Sequence, residues 1–447
     1  MKNLKEKALY SVVVIGIIFL IYQLSPKDWQ ESLPIKSDDL TELNLLMREG
    51  YFPEFQSDPV AYKAFHDQIA KDLELKLNVD YYETNDQLLE ILSDDTERLK
   101  YDVVMPSDIA VRKLIREKLI EPINSDEIPR ITNIDDVFSD NERFQGLSEH
   151  SVPFAFQTTG LMSNAWKIED ILISWDYMFE AHKHEIGALK FSMPNDQRVS
   201  LGIALIYDAF RLNKALEAAR ENEIRNSDSK PIVEVIPDPN TTDKESIDRA
   251  RDLIIEMIGK YDIRFGNRRD IYGRMMAEKV DIAVAWSGDA AKAMEQVRGE
   301  LVKRARRDRL SSNDKNSLIK GEDYRDQIPK VRFTSPAPGV IVQFDCFAIV
   351  EGTSKRDLGL KFINFLLKPE VSAAVTNYSY YGNTNKHSRK YVDRNITNGP
   401  SYFTPALSDI YALEILDKET EAYYNEAWDK ILATYRKKRE KDGAIND

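Results

Sequence analysis

Short apolar runs alternate with amphipathic helical patterns along most of the chain, and this order limits it to α/β architectures. Residues 43–47 (LNLLM) read as a buried strand, and Leu75, Leu77 and Val79 alternate with polar residues toward Tyr81 and Tyr82. Thr84 or Asn85 can then cap a helix bearing Leu88, Leu89, Ile91 and Leu92. Residues 101–108 (YDVVMPSD) form a strand that stops at a Pro-Ser turn, before a helix with Val111, Leu114 and Ile115. Further units fall at 151–162, 187–212, 246–258, 280–297 and 331–366, and there is no internal repeat. The expected product is a mostly parallel sheet flanked by helices, with ligand-binding loops at the strand carboxyl ends. A length of 447 residues allows two or three such lobes.

The N-terminus follows another plan. Lys2, Lys5 and Lys7 precede an uncharged apolar run from Ala8 to Leu24, which ends at Ser25-Pro26-Lys27. Seventeen residues is the short end of what crosses about 30 Å of hydrocarbon. No small-x-small cleavage pattern follows, and no cysteine stands there to carry a lipid. We therefore expect a cytoplasmic segment 1–7, an anchor or uncleaved signal at 8–24 and a linker at 25–42, with the rest of the chain outside. A signal cleaved at an unusual site is the alternative.

Charge and cysteine usage narrow the function. With 62 Lys+Arg against 75 Asp+Glu the net charge is −13, which disfavours nucleic acid and anionic lipid as main partners and favours cations. Cys346 is the single cysteine, within FDCFAIV (344–350), and reads as a core-strand residue. The sequence contains no GxSxG, HExxH, Walker or GxGxxG motif, and His182 and His184, two apart, would point to different sides of a helix. No enzyme activity, metal or cofactor is expected. Two polar stretches, 214–245 and 299–330, look like surface insertions; the second contains KRARRDR (303–309), which reads as a solvated face. Tyr424, Trp428, Ile431 and Tyr435 lie at helical spacing and predict a packed C-terminal helix before RKKREK (436–441).

Several motifs occur in a familiar order: YYETNDQLLEIL (81–92), YDVVMPSD (101–108), SVPFAFQTTGLMSN (151–164), ISWDYMF (173–179), VDIAVAWSGDAA (280–291), PAPGVIVQFDCFAIV (336–350) and LKFINFLLKPEVSAAV (360–375). In this the chain resembles bacterial extracellular solute-binding proteins, most of all the spermidine/putrescine branch. The resemblance implies a two-lobed periplasmic-binding-protein-like fold of type II, crossing strands, and a cleft that closes on ligand. It also implies delivery to an ABC permease, at the outer face of the cytoplasmic membrane or in the periplasm. The expected division is 43–152 and 285–346 in the first lobe, and 153–284 and 347–447 in the second.

Carried over position by position, the resemblance assigns ligand contacts to Tyr51 in REGYFP, Ser107, Trp286 and Asp289 of the W-x-x-D pair, Asp345, and Asp196 in PNDQRV. It fails elsewhere. The family's tryptophan is Arg48 here and its neighbouring Thr or Ser is Glu49; a second tyrosine is Ile109, a further aromatic is Gln343, and a second acid is Val199. Physically, a small cationic amine needs spaced carboxylates with aromatic faces between them. Trp286 and Asp289, three apart, share a face in a helical turn, and Asp345 in an apolar strand needs a partner. Structural alternatives remain open: Trp286 as a core aromatic, Asp289 as a helix cap, Asp345 in a salt bridge, and Arg48 with Glu49 in an ion pair. The functional alternatives are a sensor or scaffold with a blocked cleft, or a binder of a zwitterion such as a basic amino acid.

Overall fold

The computed structural model describes residues 40–54, 56, 58–139, 146–223, 235–307, 330–402 and 410–443. The expected anchor at 8–24 and most of the 299–330 stretch lie outside them. Among the described residues no helix is long and apolar enough to cross a membrane. The contacts divide the chain into two units.

The first unit runs to Ala155 and takes in Asp345–Ser379 and Asn383–Tyr391. Strand β1 (Thr41–Met47) pairs in parallel with β2 (Leu75–Tyr81) and β3 (Val103–Val104), placing Leu45 opposite Val79 on one side and Val103 on the other. The intervening helices start where the sequence provides oxygen acceptors. Asp58 caps α1 (Pro59–Leu73), Thr84 accepts from the Gln87 amide to cap α2 (Asn85–Ser93), and Ser107 caps α3 (Asp108–Arg116).

Strand β4 (Val152–Asn164), buried along its whole length, leads into the second unit, which comprises Phe156–Phe344, Tyr380–Gly382 and Val392–Asp447. There β5 (Lys190–Pro194) is followed by α4 (Gln197–Glu223), α5 (Lys244–Lys260) and β6 (Asp262–Gly266); α6 (Arg268–Met276), β7 (Ile282–Trp286) and α7 (Ser287–Arg307) come next. Strand β5 is parallel to β6 and β7, whereas β4 is antiparallel to β7 and to β8 (Val331–Thr334). Gly160 of β4 allows the Phe333 ring in, since a Cβ there would lie 2.4 Å from the ring carbon Cζ. Strand β9 (Val340–Ile349) returns to the first unit, where Val103 pairs antiparallel with Ile349. Helices α8 (Arg356–Leu366) and α9 (Pro369–Ser379) follow. Finally β10 (Ile410–Ala412) pairs in parallel with β9 at Val340, and α10 (Lys418–Lys441) ends the second unit.

Three expectations need correction. The pairing is mixed rather than mostly parallel, because the long strands β4 and β9 run antiparallel to the parallel groups. Residues 285–344 stay with the second unit and do not return to the first, because β7 is hydrogen-bonded between β4 and β5. Residues 345–379 and 383–391 then belong to the first unit rather than the second. Helix α7 continues to Arg307, so the described start of the 299–330 stretch is helical.

Phe154, Phe347 and Phe362 anchor the first core, with ring centroids 5.1 and 6.2 Å apart in succession. The second core gathers Trp175, Met257 and Ile282 around Tyr424, Trp428 and Ile431 of α10, as the spacing of those last residues predicts. The basic tail has a use beyond its own helix: the Lys438 ammonium donates to the carbonyls of Ile258 and Tyr261, at the C-terminus of α5. Replacing Ile431 by Ala should cost about 2–5 kcal/mol in denaturant unfolding, as a fully buried aliphatic side chain does. A loss well under that range would show that α10 is only loosely docked.

Candidate functional site

Most of the predicted residues fall into two groups, one in each unit. In the first they gather at the carboxyl ends of β1, β2 and β3. Gly50, at φ +93°, lets the chain turn after β1 and brings in Tyr51. The Tyr51 phenol donates to Asp345, a carboxylate only 1% exposed. Ser107 bridges the backbone of Asp345, and its hydroxyl donates to the Asn85 side-chain oxygen at 3.1 Å. Arg48 donates to the same oxygen at 2.7 Å and lies 5.6 Å from the Tyr82 ring centre. Burial pushes the Tyr82 phenol far above its usual range, a shift the Arg48 charge opposes, and its hydroxyl donates to the Met105 carbonyl at 2.8 Å. Glu49 is exposed. Cys346 is buried in β9, and burial raises its thiol well above the ordinary value, which suits the core role expected for it.

In the second unit Trp286 closes β7 at 7% exposure and packs within the apolar core. Its neighbour Ser287 accepts from the Thr158 amide at 3.1 Å. Asp289, in the first turn of α7, is held by Arg268 in a forked pair, Nε to Oδ2 at 2.9 Å and Nη2 to Oδ1 at 3.1 Å. The Tyr381 hydroxyl donates to the same carboxylate at 3.2 Å and accepts from Arg268, whose guanidinium lies 5.0 Å from the Tyr381 ring centre. Gly288 makes this approach possible, because a Cβ there would lie 1.9 Å from Tyr381 Cδ1. Asp196 stands apart, exposed, accepting from the Val199 amide at 3.0 Å at the start of α4.

The structure thus joins Tyr51, Ser107 and Asp345, with Arg48 sharing Asn85 with Ser107, while Trp286 ends β7 and Asp289 lies in the helix turn that follows. Asp289 is an ion-pair partner rather than a helix cap, and Trp286 has the burial of a core aromatic. Arg268, Tyr381 and Asn85 escaped the sequence reading. A signal existed for Arg268: Asn267 and Asp270 form a capping box that puts this arginine in the first turn of α6, where a cation opposes the helix dipole unless an acid faces it. Among the described residues no group of three or more acidic, histidine or cysteine side chains could hold a metal ion.

Residues 61–404 match the model of the bacterial extracellular solute-binding protein family, and the chain belongs to that family. It is therefore a binding protein that acts outside the cytoplasm, not an enzyme. Among curated relatives it is 21% identical over 374 residues to the putrescine-binding periplasmic protein of Escherichia coli, covering 81% of this chain and 85% of that one. It is 21% identical over 342 residues to a spermidine/putrescine-binding periplasmic protein of Salmonella typhimurium, covering 76% and 79%. Among solved structures, a putative spermidine/putrescine transporter protein of Listeria monocytogenes shares the fold at TM-score 0.63 and 19% identity, covering 88% of this chain and 99% of that one. A lipoprotein of Treponema pallidum does so at TM-score 0.63 and 17% identity, with the same coverage.

The phenol of Tyr272 is pushed up to about 12, first by burial and then by the negative charge of Asp289. The neutral phenol is thus favoured in the folded chain, so its contribution to stability is complete below about pH 10 and lost as the pH rises toward 12. Tyr272→Phe should therefore lose less stability than the parent between about pH 9 and pH 12, as read by urea unfolding. Identical pH slopes would show that Tyr272 titrates normally.

Proposed function

We propose that the protein captures a small amine of the polyamine class, with Asp345 as counter-charge to an ammonium, and passes it to an ABC permease. The observation that carries this is the buried Asp345–Tyr51 pair beside the Tyr82 ring, at the strand ends where open α/β sheets bind ligands. In so dry a place an ammonium and a carboxylate attract far more strongly than in water. The putrescine and spermidine named for the curated relatives support the same solute class, and Ser107 and Tyr51 would orient the acid. We further propose that residues 8–24 stay uncut and hold the protein at the outer face of the cytoplasmic membrane. A second reading, a zwitterion such as a basic amino acid, is favoured by one observation: Arg268 already neutralises Asp289.

Calorimetry with putrescine and spermidine tests the first proposal. Asp345→Asn keeps the shape and removes the charge, and should weaken amine binding by about 2–5 kcal/mol, or roughly thirty- to several-thousand-fold. Unchanged affinity would make Asp345 purely structural. For the anchor, fractionation and N-terminal sequencing should find the intact start of the chain in the membrane; a mature N-terminus between about residues 20 and 35 would reject the tether.

A further inference from the structure

We infer that Asn85 is a positioning residue for amine binding: its side-chain oxygen holds the Arg48 guanidinium beside the Tyr82 ring and so keeps it from closing an internal ion pair with Asp345. This rests on the amine reading above and adds a residue that sets the strength of binding. Every residue it uses belongs to the first unit.

Asn85 is the first residue of α2, and the cap of that helix is made by its neighbour Thr84, which accepts from the Gln87 amide at 3.1 Å. Asparagine is a common cap, yet here the side chain has no such duty. Its oxygen instead accepts from Arg48 Nη2 at 2.7 Å and from the Ser107 hydroxyl at 3.1 Å. A guanidinium only donates, so the atom facing it is the oxygen, and two donors use both of that atom's lone pairs. The serine is fixed in turn, because its oxygen also accepts from the Ala110 amide at the start of α3. One amide oxygen thus ties the chain just after β1 to the starts of α2 and α3.

The same contacts bring Arg48 and Asp345 to one place. Ser107 bridges the backbone of Asp345 and touches Asn85, which touches Arg48, and Tyr82 feels both charges in opposite senses. A guanidinium and a carboxylate make forked pairs that are among the strongest polar contacts. Around an acid only 1% exposed, water screens that attraction little. The acids next in the chain to Arg48 and Asn85, Glu49 and Asp86, are exposed and compete weakly for the arginine. An Arg48–Asp345 pair would consume the counter-charge that an ammonium needs. The Asn85 oxygen and the Tyr82 ring, whose centre lies 5.6 Å from the guanidinium, give Arg48 a different seat. Because asparagine is neutral, it holds the arginine without adding a second acid to the site.

Calorimetry with putrescine on the full chain separates this role from a purely structural one. Asn85→Ala should weaken binding by about tenfold or more, because Arg48 then turns to Asp345 and competes with the ammonium. Arg48→Met should bind at least as tightly as the parent. Adding Asn85→Ala to Arg48→Met should change affinity by less than about threefold, since no guanidinium is left to move. Asn85→Asp keeps an oxygen for both donors and serves if the Ala variant does not fold; it too should bind at least as tightly as the parent. An Asn85→Ala variant that binds like the parent, a loss from Asn85→Ala that persists in the Arg48→Met background, or an equal loss in Asn85→Asp overturns the inference and leaves the amine reading standing. Binding of neither putrescine nor spermidine by the parent overturns both.

Discussion

A carboxylate shut away from water is tolerable only where the chain supplies a partner, and Asp345 is nearly fully buried within an apolar strand. Much of the arrangement at the first unit's strand ends follows from that demand. Tyr51 must reach the acid, so the chain turns at Gly50 as soon as β1 ends. Ser107 must lie beside the backbone of Asp345, so β3 stays short and gives way to α3 at once. The same serine ties to Asn85 and through it to Arg48, so one buried charge links the ends of three strands.

What the sequence reveals and what it hides divide by distance along the chain. The caps at Thr84 and Ser107, the turn after YDVVMP and the helix carrying Tyr424, Trp428 and Ile431 depend on neighbours within a few residues, and periodicity exposes them. The two-unit organisation was legible only through resemblance, and its boundaries were misplaced because strand pairing decides them: β7 could not leave β4 and β5. The site was half legible. Asp345 announced its need for a partner, but Tyr51 lies 294 residues away; Asp289 gave no sign that Arg268, 21 residues earlier, and Tyr381, 92 later, already held it.

The acidic net charge suggests an unobstructed welcome for cations, yet the local picture is closer to balance. Arg48 lies at the strand ends of the first unit, and Arg268 neutralises Asp289 in the second. Long-range attraction and local recognition are therefore separate properties here. The net charge governs the first, and the placement of single charges, such as Arg268 on Asp289, bears on the second.

The interleaved division of the chain has a consequence for the order in which it is made. The first unit lacks β9's last residues, α8 and α9 until synthesis has passed residue 391, and the second lacks the core residues of α10 until it has passed Ile431. Neither unit can complete its core from one continuous stretch of chain. A chain whose strands pair across such distances along the sequence folds slowly, because loop closure must precede the contacts that reward it.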